Sequence, residues 1–203
     1  MPDSVVHVID DDDAVRESLA FLFETESLRV RTYESAVHFL ARVGELEPGC
    51  IVTDVRMPQM NGVELMRALA ARGASLPTIV ITGHGDVALA VEAMRSGAVD
   101  FIEKPFSDDL ILTAVRTALA RSRDERAQAS ERAAVIERLA LLSNRERQVL
   151  DGLVAGQANK VQANALGISP RTVEVYRANL MTKMRAASLS DLVRMALLAG
   201  GAS

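Results

Sequence analysis

The chain has 203 residues, 49% of them hydrophobic and 25% charged, with no Trp and a single Cys. This composition suits one large or two small globular domains. It excludes an internal disulfide and offers no apolar run long enough to span a membrane, and because Asp10 to Asp13 interrupt the first apolar stretch it points to a cytoplasmic protein without a secretory leader.

Charge divides unevenly: residues 139–203 carry 8 basic and 4 acidic side chains, against 15 and 23 in the rest. An acidic part thus precedes a basic one suited to nucleic acid. In chain order, Val5-Val6-His7-Val8-Ile9 predicts a buried strand with His7 packed inside it. Asp10-Asp11-Asp12-Asp13 follows, then a helix over residues 14–26 with Val15, Leu19, Leu22 and Phe23 on one face. Asp13 suits its N-cap and Asp12 the loop, which leaves Asp10 and Asp11 at the carboxyl end of the strand. A solvated acidic loop is the alternative. A strand over 28–33 and a helix over 35–43 come next.

Cys50-Ile51-Val52-Thr53-Asp54-Val55-Arg56-Met57-Pro58 is an apolar run of the kind buried on both faces, stopped by Met-Pro. Cys50 is expected in the core. Asp54 falls at the carboxyl end of a central parallel strand, the edge at which open α/β sheets bind ligands. An Asp there also serves simply to cap a turn. Asn61-Gly62 opens a helix over 63–71, and residues 77–83 form a fourth buried strand ending in Thr82 and Gly83. A helix covers 86–96, and residues 98–103 form a fifth strand that runs into Lys104-Pro105, a natural site for a cis bond. A further helix begins near Ser107. The expected fold class is α/β, a five-stranded doubly wound parallel sheet.

The strand ends gather Asp10, Asp11, Asp54, Thr82 and Lys104 on one edge. Carboxylates crowded in this way are tolerated best when a hard divalent cation such as Mg²⁺ joins them. Mg²⁺ on Asp11 and Asp54 would hold one phosphoryl oxygen, Lys104 and the Thr82 hydroxyl two others, and Asp54 would be the carboxylate nucleophile. Over residues 4–121 this set resembles the response-regulator receiver family. The resemblance implies a flavodoxin-like fold and Asp54 as phosphoacceptor for a sensor histidine kinase. It also implies Mg²⁺ on Asp11, Asp54 and the backbone carbonyl of Arg56, with Asp10 acting through water, and a switch in which Phe101 turns in concert with Thr82. Many receivers have Tyr where this chain has Phe101. Beyond accepting the phosphoryl group, and removing it again, no enzyme activity is expected.

Residues 114–142 lack Gly and Pro and are rich in charge. Val115, Leu119, Ala129, Ala133, Ile136 and Ala140 approximate a heptad seam, interrupted by Ser122 and Arg126. A helical linker over 122–138 is expected, either paired in a dimer or solvated alone.

Residues 139–203 read as a small all-α domain. Ser143 and Glu146 form a capping box, Gly156 stops the first helix, and a short helix covers 159–166. After the turn at Gly167-Ile168-Ser169, Pro170 opens a helix carrying Arg171, Thr172, Arg177 and Lys183, with Val173, Leu180 and Met184 at core spacing. This is the helix-turn-helix pattern. A helical domain that binds protein or RNA is the alternative. Leu142-Ser143-Asn144-Arg145-Glu146-Arg147-Gln148-Val149-Leu150, Asn159-Lys160 and Ile168-Ser169-Pro170-Arg171-Thr172-Val173-Glu174-Val175-Tyr176-Arg177 resemble the LuxR-type helix-turn-helix family. Duplex DNA is the implied ligand, with Lys160 and Lys183 on phosphates, Arg171, Glu174 and Val175 at base edges, and Thr172 and Arg177 beside them. One departure is Gln162, where the family has a large apolar residue. An unpaired buried amide costs about 1–3 kcal/mol, and Val161 next to it is a candidate to compensate.

The order of the two parts, with Ile81-Thr-Gly-His-Gly-Asp86 and Phe101-Ile-Glu-Lys-Pro-Phe106, resembles the FixJ branch of the NarL/FixJ family of response regulators. In rhizobia the namesake of that branch activates nitrogen-fixation genes downstream of an oxygen-sensing haem kinase, and other members answer other signals. The resemblance implies a transcription regulator that dimerises when phosphorylated. Val91, Arg95 and Asp100 are the expected dimer surface. Promoter DNA and RNA polymerase are the expected partners, and activation is the expected outcome.

Overall fold

The computed structural model of the chain describes residues 4–83 and 87–200. It divides into two compact units, Met1–Glu125 and Arg126–Ser203.

The first unit holds β1 (Val5–Ile9), α1 (Asp13–Thr25), β2 (Arg29–Tyr33), α2 (Ala36–Leu40), β3 (Gly49–Asp54), α3 (Gly62–Ala71), β4 (Thr78–Thr82), α4 (Val87–Arg95), β5 (Asp100–Glu103) and α5 (Asp108–Ala140) up to Glu125. The strands form one parallel sheet in the order β2-β1-β3-β4-β5. Every residue of β1, β3 and β4 is buried, as expected of strands covered on both faces. On one face Val6, Val8, Cys50, Val52, Ile79 and Ile81 pack with Leu19 and Phe23 of α1 and with Ile111 and Val115 of α5. On the other, Ile9 and Ile51 pack with Phe39 and Leu65, and Val80 with Val63 and Ala93. Cys50 is fully buried, and burial pushes its thiol up to about 12.

Several expectations shift. Asp12, not Asp13, caps α1: its Oδ1 accepts from the amides of Ala14 and Val15, so the helix starts one residue earlier than expected. α2 ends at Leu40 and is followed by a separate 3-10 turn, Val43–Glu45. His84 to Asp86, including the expected start of the fourth helix, lie outside the described residues. His7 is buried as expected. A backbone carbonyl can only accept, so Nε2 donates to the Glu47 carbonyl at 2.9 Å and Nδ1 accepts from the Tyr33 hydroxyl at 3.2 Å. Burial lowers the pKa of this imidazole, and the charge of Arg31 adds to the effect; the carbonyl bond opposes it without reversing it.

The second unit holds the end of α5 with α6 (Asn144–Val154), α7 (Asn159–Leu166), α8 (Pro170–Met184) and α9 (Leu189–Leu198). Ser143 and Glu146 form the expected capping box. Gly167 ends α7 in the left-handed conformation that glycine adopts freely, and Ser169 with Pro170 starts α8. Val149, Leu150, Val173, Leu180, Met184 and Leu192 form the core.

The heptad seam does not hold together as one stripe. Val115 and Leu119 are buried in the core of the first unit, whereas Ala129, Ala133, Ile136 and Ala140 are exposed. Val135, one position away from the expected Ile136, is the α5 residue buried in the second core. Gln162 is 1% exposed; its Nε2 donates to the Gln157 carbonyl at 3.2 Å, and its Oε1 has no partner among the described residues. Val161 is exposed and is not among the residues packed into this core.

Candidate functional site

In a 2-1-3-4-5 sheet the connections leave β1 and β3 in opposite directions, which opens a crevice above their carboxyl ends. Asp10 follows β1 and Asp54 ends β3, and they are 2% and 8% exposed. The Lys104 ammonium, just after β5, lies 2.8 Å from Asp54 Oδ1 and 3.2 Å from Asp10 Oδ2. The other oxygens are also bonded: Asp54 Oδ2 accepts the Arg56 amide at 2.6 Å and Asp10 Oδ1 the Asp12 amide at 3.0 Å. The Lys104 amide donates to the Thr82 carbonyl at 2.8 Å, which fixes the two strand ends in register. Thr82 is 3% exposed, and the Lys104–Pro105 bond is cis. Gly62 belongs to this geometry as well: a Cβ there would stand 2.6 Å from the Asp54 carbonyl oxygen, so α3 can begin this close only with glycine.

Burial raises the Asp10 carboxyl above the ordinary carboxylate range; the Asp12 amide and Lys104 offset part of this, and the Asp54 charge adds to it. Burial pulls Lys104 down, but the hydrogen bonds and charges of Asp54 and Asp10 outweigh it and leave the ammonium above its usual value.

Among the described residues, no three acidic, His or Cys side chains form a ready metal cage. The donor set nevertheless suits Mg²⁺, which binds through one or two carboxylates plus water and phosphate oxygens rather than in an all-protein cage. Asp10 and Asp54 share the single ammonium of Lys104, and Asp11 adds a third carboxylate beside Asp10, so negative charge is left over. Asp11 is exposed and makes no hydrogen bond or ion pair among the described residues.

One residue escaped sequence reasoning. Arg16 of α1 reaches back to donate Nη1 to the Asp10 carbonyl at 2.6 Å and pairs through Nη2 with Asp13. The spacing of Asp13 and Arg16 signals only the second contact.

Val91 and Met94 on α4 and Phe101 on the edge strand β5 are 49%, 43% and 46% exposed, and Arg95 at the end of α4 is exposed. Asp100 is half-buried and accepts the Phe101 amide at 2.8 Å.

In the second unit Lys160, Arg171, Glu174 and Val175 are exposed and Thr172 is half-buried against Ser169. Two of the expected DNA contacts are engaged inside the domain. Arg177 donates to Asn159 Oδ1 and so ties α8 to α7. Lys183 lies 2.7 Å from the buried Glu146 carboxylate, which also accepts the Ser143 amide at 2.8 Å. The Lys183 hydrogen bond and the Ser143 amide together hold that carboxyl below its usual range. Among the described residues no helix is long and apolar enough to cross a membrane.

Comparison with known proteins agrees with both halves. Residues 6–116 match the response regulator receiver domain, and residues 140–196 the bacterial regulatory proteins of the luxR family. The chain is 63% identical over 201 residues to the transcriptional regulatory protein FixJ of Azorhizobium caulinodans, covering 98% of this chain and 95% of that one. Full-length FixJ from B. japonicum matches over 100% of both chains at 46% identity and a TM-score of 0.62. The response regulator StyR matches over 96% of this chain and 98% of its own, at 36% identity and a TM-score of 0.84. The chain therefore belongs to the NarL/FixJ family of two-component response regulators, transcriptional regulators in which a receiver domain is joined to a LuxR-type DNA-binding domain.

Proposed function

We propose that Asp54 is the phosphoacceptor and that its phosphorylation by a histidine kinase switches a cytoplasmic, FixJ-like activator from monomer to DNA-binding dimer. One observation carries the reading: a buried carboxylate at the switch point of the sheet has one oxygen on Lys104 and the other on the Arg56 amide, with Asp10 beside it. A carboxylate so oriented can attack phosphorus in line, and Lys104 and the Thr82 hydroxyl would receive charge on the transferring oxygens. Asp10, Asp11, Asp54 and the Arg56 carbonyl are the groups that would hold Mg²⁺, which when bound neutralises charge between the carboxylates and the phosphoryl group. Water entering the same pocket would return Asp54 to its free form.

Thr82 drawn toward the phosphoryl group leaves space for Phe101 to turn inward, and this changes the surface formed by Val91, Arg95 and Asp100. Two chains pairing there present two α8 helices to a two-part promoter site and from it engage RNA polymerase. Lys160 neutralises phosphate, and Arg171, Thr172, Glu174 and Val175 lie toward base edges. Arg177 and Lys183 frame α8 through Asn159 and Glu146 and keep further N–H donors for phosphate.

Asp54→Asn tests the reading. With acetyl phosphate and Mg²⁺, the wild type should gain one phosphoryl mass, sediment as a dimer and bind promoter DNA more tightly, with strong salt dependence. Asp54→Asn should do none of these, because an amide neither attacks phosphorus nor carries charge. Phosphoryl uptake by the variant would overturn the assignment.

A further inference from the structure

The turn between β1 and α1 is tied at both ends of a short acidic run. Asp10 Oδ1 accepts the Asp12 amide at 3.0 Å, and the Asp10 main-chain carbonyl accepts Arg16 Nη1 at 2.6 Å. The second arm of the same guanidinium holds the Asp13 carboxylate. Between these ties stands Asp11, exposed, with its carboxylate unbonded among the described residues.

The Arg16 side chain is 14% exposed although Asp13 is 82% exposed, so the sheltered arm of the clamp is the one on the Asp10 carbonyl. Its location is also costly by the usual rule, because a cation in the first turns of a helix faces the positive end of the helix dipole. A planar fork that binds a carbonyl and a carboxylate at once accounts for a cation in that position, and an ammonium, a point charge without the fork geometry, cannot reproduce it.

We infer that Arg16 is a positioning residue for the acidic pocket: by clamping the Asp10 carbonyl to Asp13 it sets the curvature of the turn and so the placement of the Asp11 carboxylate for divalent-cation binding. The inference rests on the reading of this pocket as the Mg²⁺ and phosphoryl site. Groups one shell out from a metal are worth a measurable share of its affinity because they orient the ligands. The positive charge of Arg16 acts the other way, repelling the cation, and its pairing with Asp13 reduces that repulsion.

The test is Mg²⁺ affinity of the full-length protein by calorimetry, alongside the rate of phosphoryl uptake from acetyl phosphate and the urea midpoint of unfolding. Arg16→Gln should weaken Mg²⁺ about tenfold, the low end of the range for orienting groups. Arg16→Lys, which keeps charge but can reach only one of the two partners, should weaken it about threefold and also stands in should Arg16→Gln fail to fold. Variants that bind Mg²⁺ as the wild type does, while the wild type binds and is phosphorylated, overturn the role of Arg16 and leave the pocket reading intact. So does an Arg16→Lys variant indistinguishable from wild type, because charge alone would then suffice. A wild type that neither binds Mg²⁺ nor takes up a phosphoryl group overturns the pocket reading instead.

Discussion

At the receiver pocket Asp10 and Asp54 are 2% and 8% exposed, and each of their four carboxylate oxygens accepts a hydrogen bond. In the helix-turn-helix core Gln162 is 1% exposed, its nitrogen is bonded, and its oxygen accepts nothing among the described residues. Burial of a charged group is by far the costlier of the two in isolation. Yet the receiver offsets it with an ammonium and two backbone amides, whereas the smaller cost in the second unit stands unanswered. The buried polar group that is fully bonded is the one we propose as the phosphoacceptor. The one left short is an amide oxygen buried in a helical core without a compensating partner among the described residues.

The largest expected effect breaks the favourable side of this contrast. Lys104→Met leaves two buried carboxylates facing each other. Removing one partner of a buried pair costs about 3–5 kcal/mol, but Lys104 is about one-third exposed, so about 2 kcal/mol is expected at neutral pH. The loss should shrink on acidification: without the ammonium the raised Asp10 carboxyl rises further, and an acid raised in the folded state stabilises it at low pH and loses that stability as pH rises. Urea midpoints of the receiver transition at two pH values check the sign. A cost that grew on acidification would refute it.

Repairing the unfavourable side should have the opposite sign. Gln162→Leu removes the orphaned oxygen and should stabilise the helical unit by about 1–2 kcal/mol, read as a higher midpoint for that unit with the receiver transition unmoved. The exposed neighbour supplies the control, because Val161→Ser should change stability by less than about 0.5 kcal/mol. No gain from Gln162→Leu would mean that the amide oxygen is satisfied in solution.

The smallest effect concerns His7, a buried polar group that is fully bonded but titratable. Its pKa is lowered from 6.5 in the folded chain, so its neutral form favours folding. That stability is present above pH 6.5 and is lost as pH falls below it, when the unfolded chain takes up a proton that the folded one resists. His7→Leu should flatten the acid side of the receiver's stability profile. An unchanged slope would assign the pH dependence to other groups.

The receiver was legible in the sequence because its signal is one of position. Buried parallel strands read as unbroken apolar runs, and a polar residue at the end of each is visible without any knowledge of contacts, so Asp54, Thr82 and Lys104 could be placed on one edge before the fold was known. What stayed hidden depends on tertiary reach. Asp12 and Asp13 are chemically equivalent caps, and only the geometry of the turn selects Asp12. The α5 seam failed because one long helix serves two cores in different registers, so Val115 and Ile136 share a heptad pattern but not a surface. The pairing of Lys183 with Glu146, 37 residues away, has no local signal either. The structure places the Arg16 clamp on a main-chain oxygen, which no residue pattern announces.

The single cysteine has a practical consequence. Cys50 lies wholly within the sheet with its thiol pushed up to about 12, and because only thiolate reacts with electrophiles it is inert near neutrality. A cysteine introduced at an exposed position away from the proposed dimer surface, such as Phe21→Cys on α1 or Arg171→Cys on α8, should therefore take a maleimide dye or nitroxide alone, in the otherwise natural chain. Spin labels on two copies would then give interchain distances directly, with Cys50 left in place and the strand that ends in Asp54 undisturbed.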